Sequence, residues 1–319
     1  MTKCIKMIKP QAVPFLKSIL SLFILIASFS YAQEEANEEE LPFSAVIEST
    51  LGGKRVKFYG NTRLNFNQAY FSNWISGGES AMTVLFGLDY NLDYSYRNGL
   101  VWDNKIILSL GTTYISGNKF FKKADDRFEI NSLVGKQINE YWSYSSVLNF
   151  KTQLLPGYRF YSEEGGDKRD QVSQILSPAY IQLSLGWYYK KIDDFWLNLS
   201  PLSARVLLVS GRFTDDLLPG GTYFGVDADK SAKFFLGAGV SGFYKKEIVK
   251  NIFWENKLSI YLNYIEKSQN IDFDWDTNIR FKVNDKISGN FIMHILYDDD
   301  LVSKLQLREL LGLGINIDL

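Results

Sequence analysis

The sequence predicts an all-β protein, a closed antiparallel transmembrane β-barrel of about twelve strands. Three observations carry that expectation. From about Val56 onward, apolar and polar residues alternate with a period of two. Aromatic residues are abundant, with 19 Tyr, 23 Phe and 7 Trp in 319 residues, as expected of strand-rich chains with amphipathic rings at interfaces. Short and longer polar connections mostly alternate between the periodic segments, the asymmetry of barrels with short periplasmic turns and longer external loops.

Taken in order, residues 1–32 read as a secretory signal. Lys3, Lys6, Lys9 and Lys17 precede a short apolar core, Ile19 to Phe29, and Ser30-Tyr31-Ala32 supplies small residues for a cut before Gln33. That core is short beside the roughly 20 residues a spanning helix needs. Cys4 is the single cysteine and lies before the core, so the mature chain is expected to hold no disulfide and no thiol chemistry. Cleavage removes four of 35 basic residues, leaving 31 against 36 acidic ones, a net of −5 that argues against nucleic acid as a partner. Residues 33–55 open on an acidic run, Glu34 to Glu40, and read as a periplasmic tail. The barrel is expected over 56–319.

The clearest strand is Ile271 to Lys282. Ile271, Phe273, Trp275, Thr277, Ile279 and Phe281 share one face, and Asp272, Asp274, Asp276, Asn278, Arg280 and Lys282 the other. Alternate side chains of a strand point to opposite faces, whereas a helix would scatter these residues around its circumference. The same reading gives strands over 56–71, 80–96, 100–115, 126–138, 141–154, 179–190, 195–210, 232–245, 251–266, 270–282, 286–297 and 305–319. Arg97-Asn98-Gly99 carries the Asn-Gly hairpin signal, while 155–178 and 211–231 are long loops.

A lipid-embedded sheet must close so that every backbone group is paired. Its apolar face then meets lipid and its polar face lines the lumen. This phase aims Asp89, Asp93, Lys105, Lys151, Lys257, Asp272, Asp274, Asp276, Arg280, Lys282 and His294 inward. Tyr94, Tyr96, Trp102, Tyr114, Trp142, Trp187, Tyr189 and Trp254, near strand ends, are placed for interfacial girdles.

Little of this carries catalytic chemistry. His294 is the only histidine, and nothing beside it supplies a nucleophile. Asp272, Asp274 and Asp276 stand roughly 7 Å apart along their strand, too far for a tight one-strand metal cage, and read as members of a lumenal ion-pair network, with a cation pathway as the alternative. The expected neutralising partners are lysines and arginines such as Lys105, Lys151, Lys257, Arg280 and Lys282. Asp298-Asp299-Asp300 reads as a solvated loop tip. The pairs Gly77-Gly78, Gly165-Gly166 and Gly220-Gly221 lack the strand-to-helix context of a phosphate loop. No catalytic residue, metal or cofactor is therefore expected.

Several local signatures are more specific. Asn65-Phe66-Asn67-Gln68 is followed by Ser72-Asn73-Trp74 and by Gly77-Gly78-Glu79-Ser80, a loop motif in which Trp74, Gly77, Gly78 and Glu79 stand out. Then come Leu148 to Gln153 with Pro156-Gly157-Tyr158, Leu176 to Tyr180, Ser200-Pro201-Leu202 and Leu296 to Asp300. In this order they resemble the Bacteroidetes outer-membrane barrel family catalogued as domain of unknown function 3078. The resemblance implies the barrel fold and an outer-membrane location, without activity or catalytic residues to carry over. One departure is the terminal Leu319, where such barrels usually end on an aromatic residue.

The expected function is a non-enzymatic outer-membrane barrel that forms a narrow channel for small solutes. The alternative is a structural or accessory barrel with a filled lumen, whose external loops bind a partner or surface glycan. A membrane-embedded lipid enzyme is the remaining, weaker alternative. The expected partners are outer-membrane lipid and the barrel assembly machinery.

Overall fold

The computed structural model describes residues 47–51, 54–71, 79–163, 166–265, 271–284, 286–298 and 302–318. The expected signal, most of the expected tail, and Trp74, Gly77 and Gly78 lie outside the described residues.

The strands are β1 Ile47–Leu51, β2 Lys54–Ala69, β3 Ala81–Tyr96, β4 Leu100–Ile115, β5 Lys122–Gln137 and β6 Trp142–Thr152. There follow β7 Gly157–Glu163, β8 Gly166–Ser173, β9 Ala179–Ile192, β10 Phe195–Leu208, β11 Thr222–Tyr223 and β12 Val226–Asp227. The last are β13 Ala232–Val249, β14 Ile252–Asn263, β15 Ile271–Lys282, β16 Ile287–Asp298 and β17 Val302–Asp318. One antiparallel sheet runs β1-β2-β17-β16-β15-β14-β13-β10-β9-β6-β5-β4-β3, and β2 also pairs with β3. That last pairing closes twelve strands into a ring and leaves β1 outside it. The barrel strands are 11 to 18 residues long, well beyond the usual mode of about 5–6.

The twelve strands coincide with the twelve expected, with shifted ends. β5 begins at Lys122 rather than 126, and β13 runs to Val249 rather than 245, because polar residues at strand ends still complete the backbone ladder. The expected tail runs to residue 55, yet β1 lies within it and pairs with the first five residues of β2. The long loops have structure of their own: β7 and β8 form a hairpin within 153–178, while a 3-10 turn, Gly211–Phe213, and the β11–β12 hairpin fill 209–231.

Every ring pairing is antiparallel, so the described connections alternate between the two ends. At one end lie the short turns 97–99, 138–141, 193–194 and 250–251, and at the other the described longer links 116–121 and 209–231. The Arg97-Asn98-Gly99 turn works because Gly99 accepts a φ of 76°.

β10 contains the one proline in a ring strand, Pro201. Proline cannot donate to a ladder, and the register shifts there against both neighbours, between Ser200 and Ser203 toward β13 and between Leu199 and Leu202 toward β9. The bulge brings the Leu199 carbonyl against Gly186 of β9, where a Cβ has no room.

The polarity of the ring is inverted relative to a soluble barrel. Leu183, Leu185 and Trp187 of β9 are 47%, 44% and 42% exposed, and Leu307, Leu313 and Ile317 of β17 are exposed in the same phase. Outward rings touch one another along the short-turn rim. Trp142, Tyr189, Phe195, Tyr244 and Trp254, from β6, β9, β10, β13 and β14, follow in a chain with centroids 5.1–6.5 Å apart. From Ile181 to Tyr189 the belt spans roughly 27 Å along the strand at about 3.3 Å per residue.

Candidate functional site: the lumen

The centre of the lumen is an ionic layer. Glu129 of β5, only 2% exposed, accepts from Lys257 of β14 at 2.8 Å and from Arg127 at 2.5 and 3.0 Å. Asn131 and Asn149 donate to the same carboxylate at 2.8 and 3.1 Å. Arg127 also reaches Asp276 of β15 at 2.7 Å. β5 and β15 stand six strands apart in either direction around the ring, so this contact joins opposite walls. Lys151 of β6 binds Asp274 at 3.0 Å, Arg205 of β10 binds Asp272 at 2.8 Å, and Arg308 of β17 binds Asp125 of β5.

His294 completes the layer. Its Nε2 lies 2.9 Å from Asp274 Oδ1 and its Nδ1 3.9 Å from Asp276 Oδ1. Asp274, Asp276 and His294 bring one ligand atom each within 4.8 Å of one another, as a divalent cation would require. Lys151 and Arg127 already occupy the same carboxylates, so the charge a metal would supply is supplied by side chains.

Beside this layer runs a cavity of about 700 Å³. It reaches the short-turn rim at Asp193 and Asp194 and extends past Lys151, Lys257 and Asp274 to Arg205, Asp272 and Asp298. Asp193, with its side chain 75% exposed, sits 3.0 Å from Lys190 and 3.9 Å from Lys57. Partial burial pushes its carboxyl up, but the Lys190 and Lys57 ammonium groups outweigh that and hold it below the usual carboxylate range. At the other end, Arg205 stacks on the Tyr261 ring at 3.8 Å. Tyr261 belongs to an inward apolar cluster with Leu207, Val209, Val226 and Phe235, all at most 4% exposed. Phe213, Tyr223 and Phe224 of the 209–231 loop pack against it. That loop therefore roofs the part of the lumen beside β10, β13 and β14 at the long-loop end.

Of the residues expected to face inward, Asp89, Asp93, Lys105, Lys151, Lys257, Asp272, Asp274 and Arg280 line the cavity, while Asp276 and His294 lie in the ionic layer. Lys282 lies at the short-turn end, half-buried. Glu79 is exposed beside the long-loop end. The aspartate partners differ in part from those expected. Lys151 binds Asp274 as expected, while Lys105 pairs with Asp89, Lys257 with Glu129, and Arg280 lies over the Phe253 ring at 5.1 Å. Arg127, Glu129 and Arg205 carry the centre, and the sequence reading passed over them. The usable signal was parity, because Arg127, Glu129 and Asn131 alternate with Phe128 and Ile130.

Residues 66–158 match the family described as "Protein of unknown function (DUF3078)", the family that the sequence signatures resemble. No curated protein matches the chain. Among solved structures, the translocator domain of the autotransporter NalP from Neisseria meningitidis is similar at 7% identity, covering 95% of this chain and 96% of that one, with a TM-score of 0.34. The β domain of the Bordetella autotransporter Brka is similar at 11% identity over 81% and 98%, TM-score 0.34. The COG4313 outer membrane channel from Pseudomonas putida F1 is similar at 10% identity over 88% and 98%, TM-score 0.33. At such scores the barrel assignment rests on the strand pairing of this chain itself.

Proposed function

We propose that this protein is a non-enzymatic outer-membrane β-barrel that does not conduct at rest, the accessory-type reading, with a lumenal cavity entered from the periplasmic, short-turn side. The observation that carries this reading is the Arg127–Asp276 contact, which spans the full width of the ring. A twelve-strand ring is wider than the filled eight-strand case, so its bore is blocked only if side chains cross it. Here they cross beside the cavity, and the apolar roof over β10, β13 and β14 narrows its far end.

The membrane reading is supported by the exposed apolar belt. A span of roughly 27 Å tilted by about 40° gives roughly 20 Å of height, near the apolar band of outer-membrane barrels. The aromatic chain at the short-turn rim supplies one interfacial girdle.

Planar-bilayer recording of the purified full-length protein tests the proposal. The wild type gives no steady conductance. Removal of both the crossbar (Arg127→Ala with Asp276→Ala) and the roof (deletion of 212–230) gives measurable conductance. A steady ohmic current from the wild type rejects the closed reading and returns the narrow channel.

A further inference from the structure

We infer that the lumenal cavity is a binding site for a neutral, ring-containing, polyhydroxylated ligand, an oligosaccharide in chemical class. The inference rests on the proposed closed barrel, because an open pore would pass such a solute rather than hold it. Its volume of about 700 Å³ lies within the range of small-molecule sites.

Three independent features of the wall point to this class. The first is charge. Nine cationic and nine carboxylate side chains line the cavity, so it has no formal net charge with which to select an ion. Many of them are matched in place, as Lys105 is with Asp89 and Arg205 with Asp272. The second is an aromatic shelf. Tyr188, Trp196 and Phe243, on the adjacent strands β9, β10 and β13, all face the cavity. Trp196 and Phe243 are cross-strand partners with rings 6.2 Å apart and 18° from parallel, and Tyr188 lies 5.9 Å from Trp196. Flat π faces of this kind take the apolar C–H face of a sugar ring, whereas a lumen built only for ions has no use for them.

The third feature is an amide row. Asn91, Lys105, Asn131, Asn149 and Gln182 are successive cross-strand partners on β3, β4, β5, β6 and β9. In all, eight amide side chains line the cavity. An amide offers both a donor and an acceptor, which suits hydroxyl groups, themselves both. Asn278, on β15 two strands from Phe243, lines the cavity too, and its Oδ1 is buried with no hydrogen-bond partner. A buried acceptor left unmatched costs about 1–3 kcal/mol, so the wall is short of a donor at that point.

The test is calorimetric titration of the full-length protein in detergent with cellotriose, maltotriose and xylotriose, and with trigalacturonate as the charged counterpart. At least one neutral trisaccharide binds saturably, with Kd of about 1 mM or tighter, and trigalacturonate binds more weakly. Trp196→Ala weakens that binding about tenfold or more, and Trp187→Ala, on the outer face, leaves it unchanged. Heat-modifiable gel migration verifies that each variant is folded, and Phe243→Leu serves as the second shelf variant if Trp196→Ala is not. The inference is overturned if no neutral trisaccharide saturates by about 10 mM, if the folded shelf variant binds like the wild type, or if trigalacturonate binds best. A non-conducting barrel that binds no sugar removes this inference alone, whereas wild-type conductance removes the closed-barrel reading.

Discussion

Replacing Glu129 by Gln keeps the shape of the side chain and removes the one carboxylate that Lys257 and Arg127 share. All the hydrogen bonds made to this carboxylate come from donors: two guanidinium N–H groups, the Lys257 ammonium and two amides. A glutamine in that place turns an NH2 group toward them, so part of the shell loses its acceptor. Breaking a buried ion pair from one side costs about 3–5 kcal/mol. Lys257 is a quarter exposed, so lumenal water screens it, and about 2–4 kcal/mol is the expected loss. Arg127 retains Asp276 at 2.7 Å, so the loss concentrates on Lys257. Adding Lys257→Met should therefore recover part of it. Urea unfolding followed by tryptophan fluorescence reads the effect. With a slope of about 2 kcal/mol/M, the midpoint falls by about 1–2 M at unchanged slope. A loss below about 1 kcal/mol, or a double variant no more stable than the single one, would refute the account of Glu129 as the shared anion of the layer.

Three further expectations use the same preparation. Leu185→Arg places a cation on the exposed outer face of β9 and should cost about 2–4 kcal/mol if that face meets the bilayer midplane, read as the folded fraction in vesicles; an unchanged fraction contradicts the membrane-facing assignment. Gly186→Ala puts a methyl group against the Leu199 carbonyl, which is backbone and cannot rotate away, so about 1–3 kcal/mol is lost, and a loss under about 0.5 kcal/mol counts against the bulge geometry. Asp193 has a folded-state pKa below the unfolded value of about 3.9, so its contribution is present above that value and is lost as pH falls through the lower folded one. Because Asp193 is largely exposed, the wild type should exceed Asp193→Asn by less than about 1 kcal/mol at neutral pH and match it near pH 2, and a gap that survives acidification contradicts the pairing with Lys190.

The ring was legible because lipid and lumen impose opposite demands on alternate residues, and β15 obeys them from Ile271 to Lys282 save at Thr277, a polar residue on the apolar face. The strand ends were less legible. Lys122 and Lys123 look like loop residues, yet they pair with Thr113 and Thr112 because a ladder needs only backbone groups. The internal hairpins were hidden for the same reason, since Arg159 to Ser162 and Asp167 to Asp170 have no buried face to impose a period. At the site, phase revealed which side chains point inward, but not which of them meet. Glu129 and Lys257 are 128 residues apart, and their contact depends on ring diameter and stagger, which no local pattern encodes. The aromatic shelf was masked by composition. In Trp187-Tyr188-Tyr189 three rings run together, and alternation requires the middle one to turn inward, away from its neighbours.

The Arg127–Asp276 contact also has a mechanical side. An unbraced hoop of twelve strands deforms most easily by flattening, one diameter growing as the perpendicular one shrinks. A spoke between diametric strands fixes one of those diameters at its own height and so stiffens the cross-section as a whole. Displacement of β15 is then carried directly to β5, a wall 149 residues away along the chain, without passing through the strands between them.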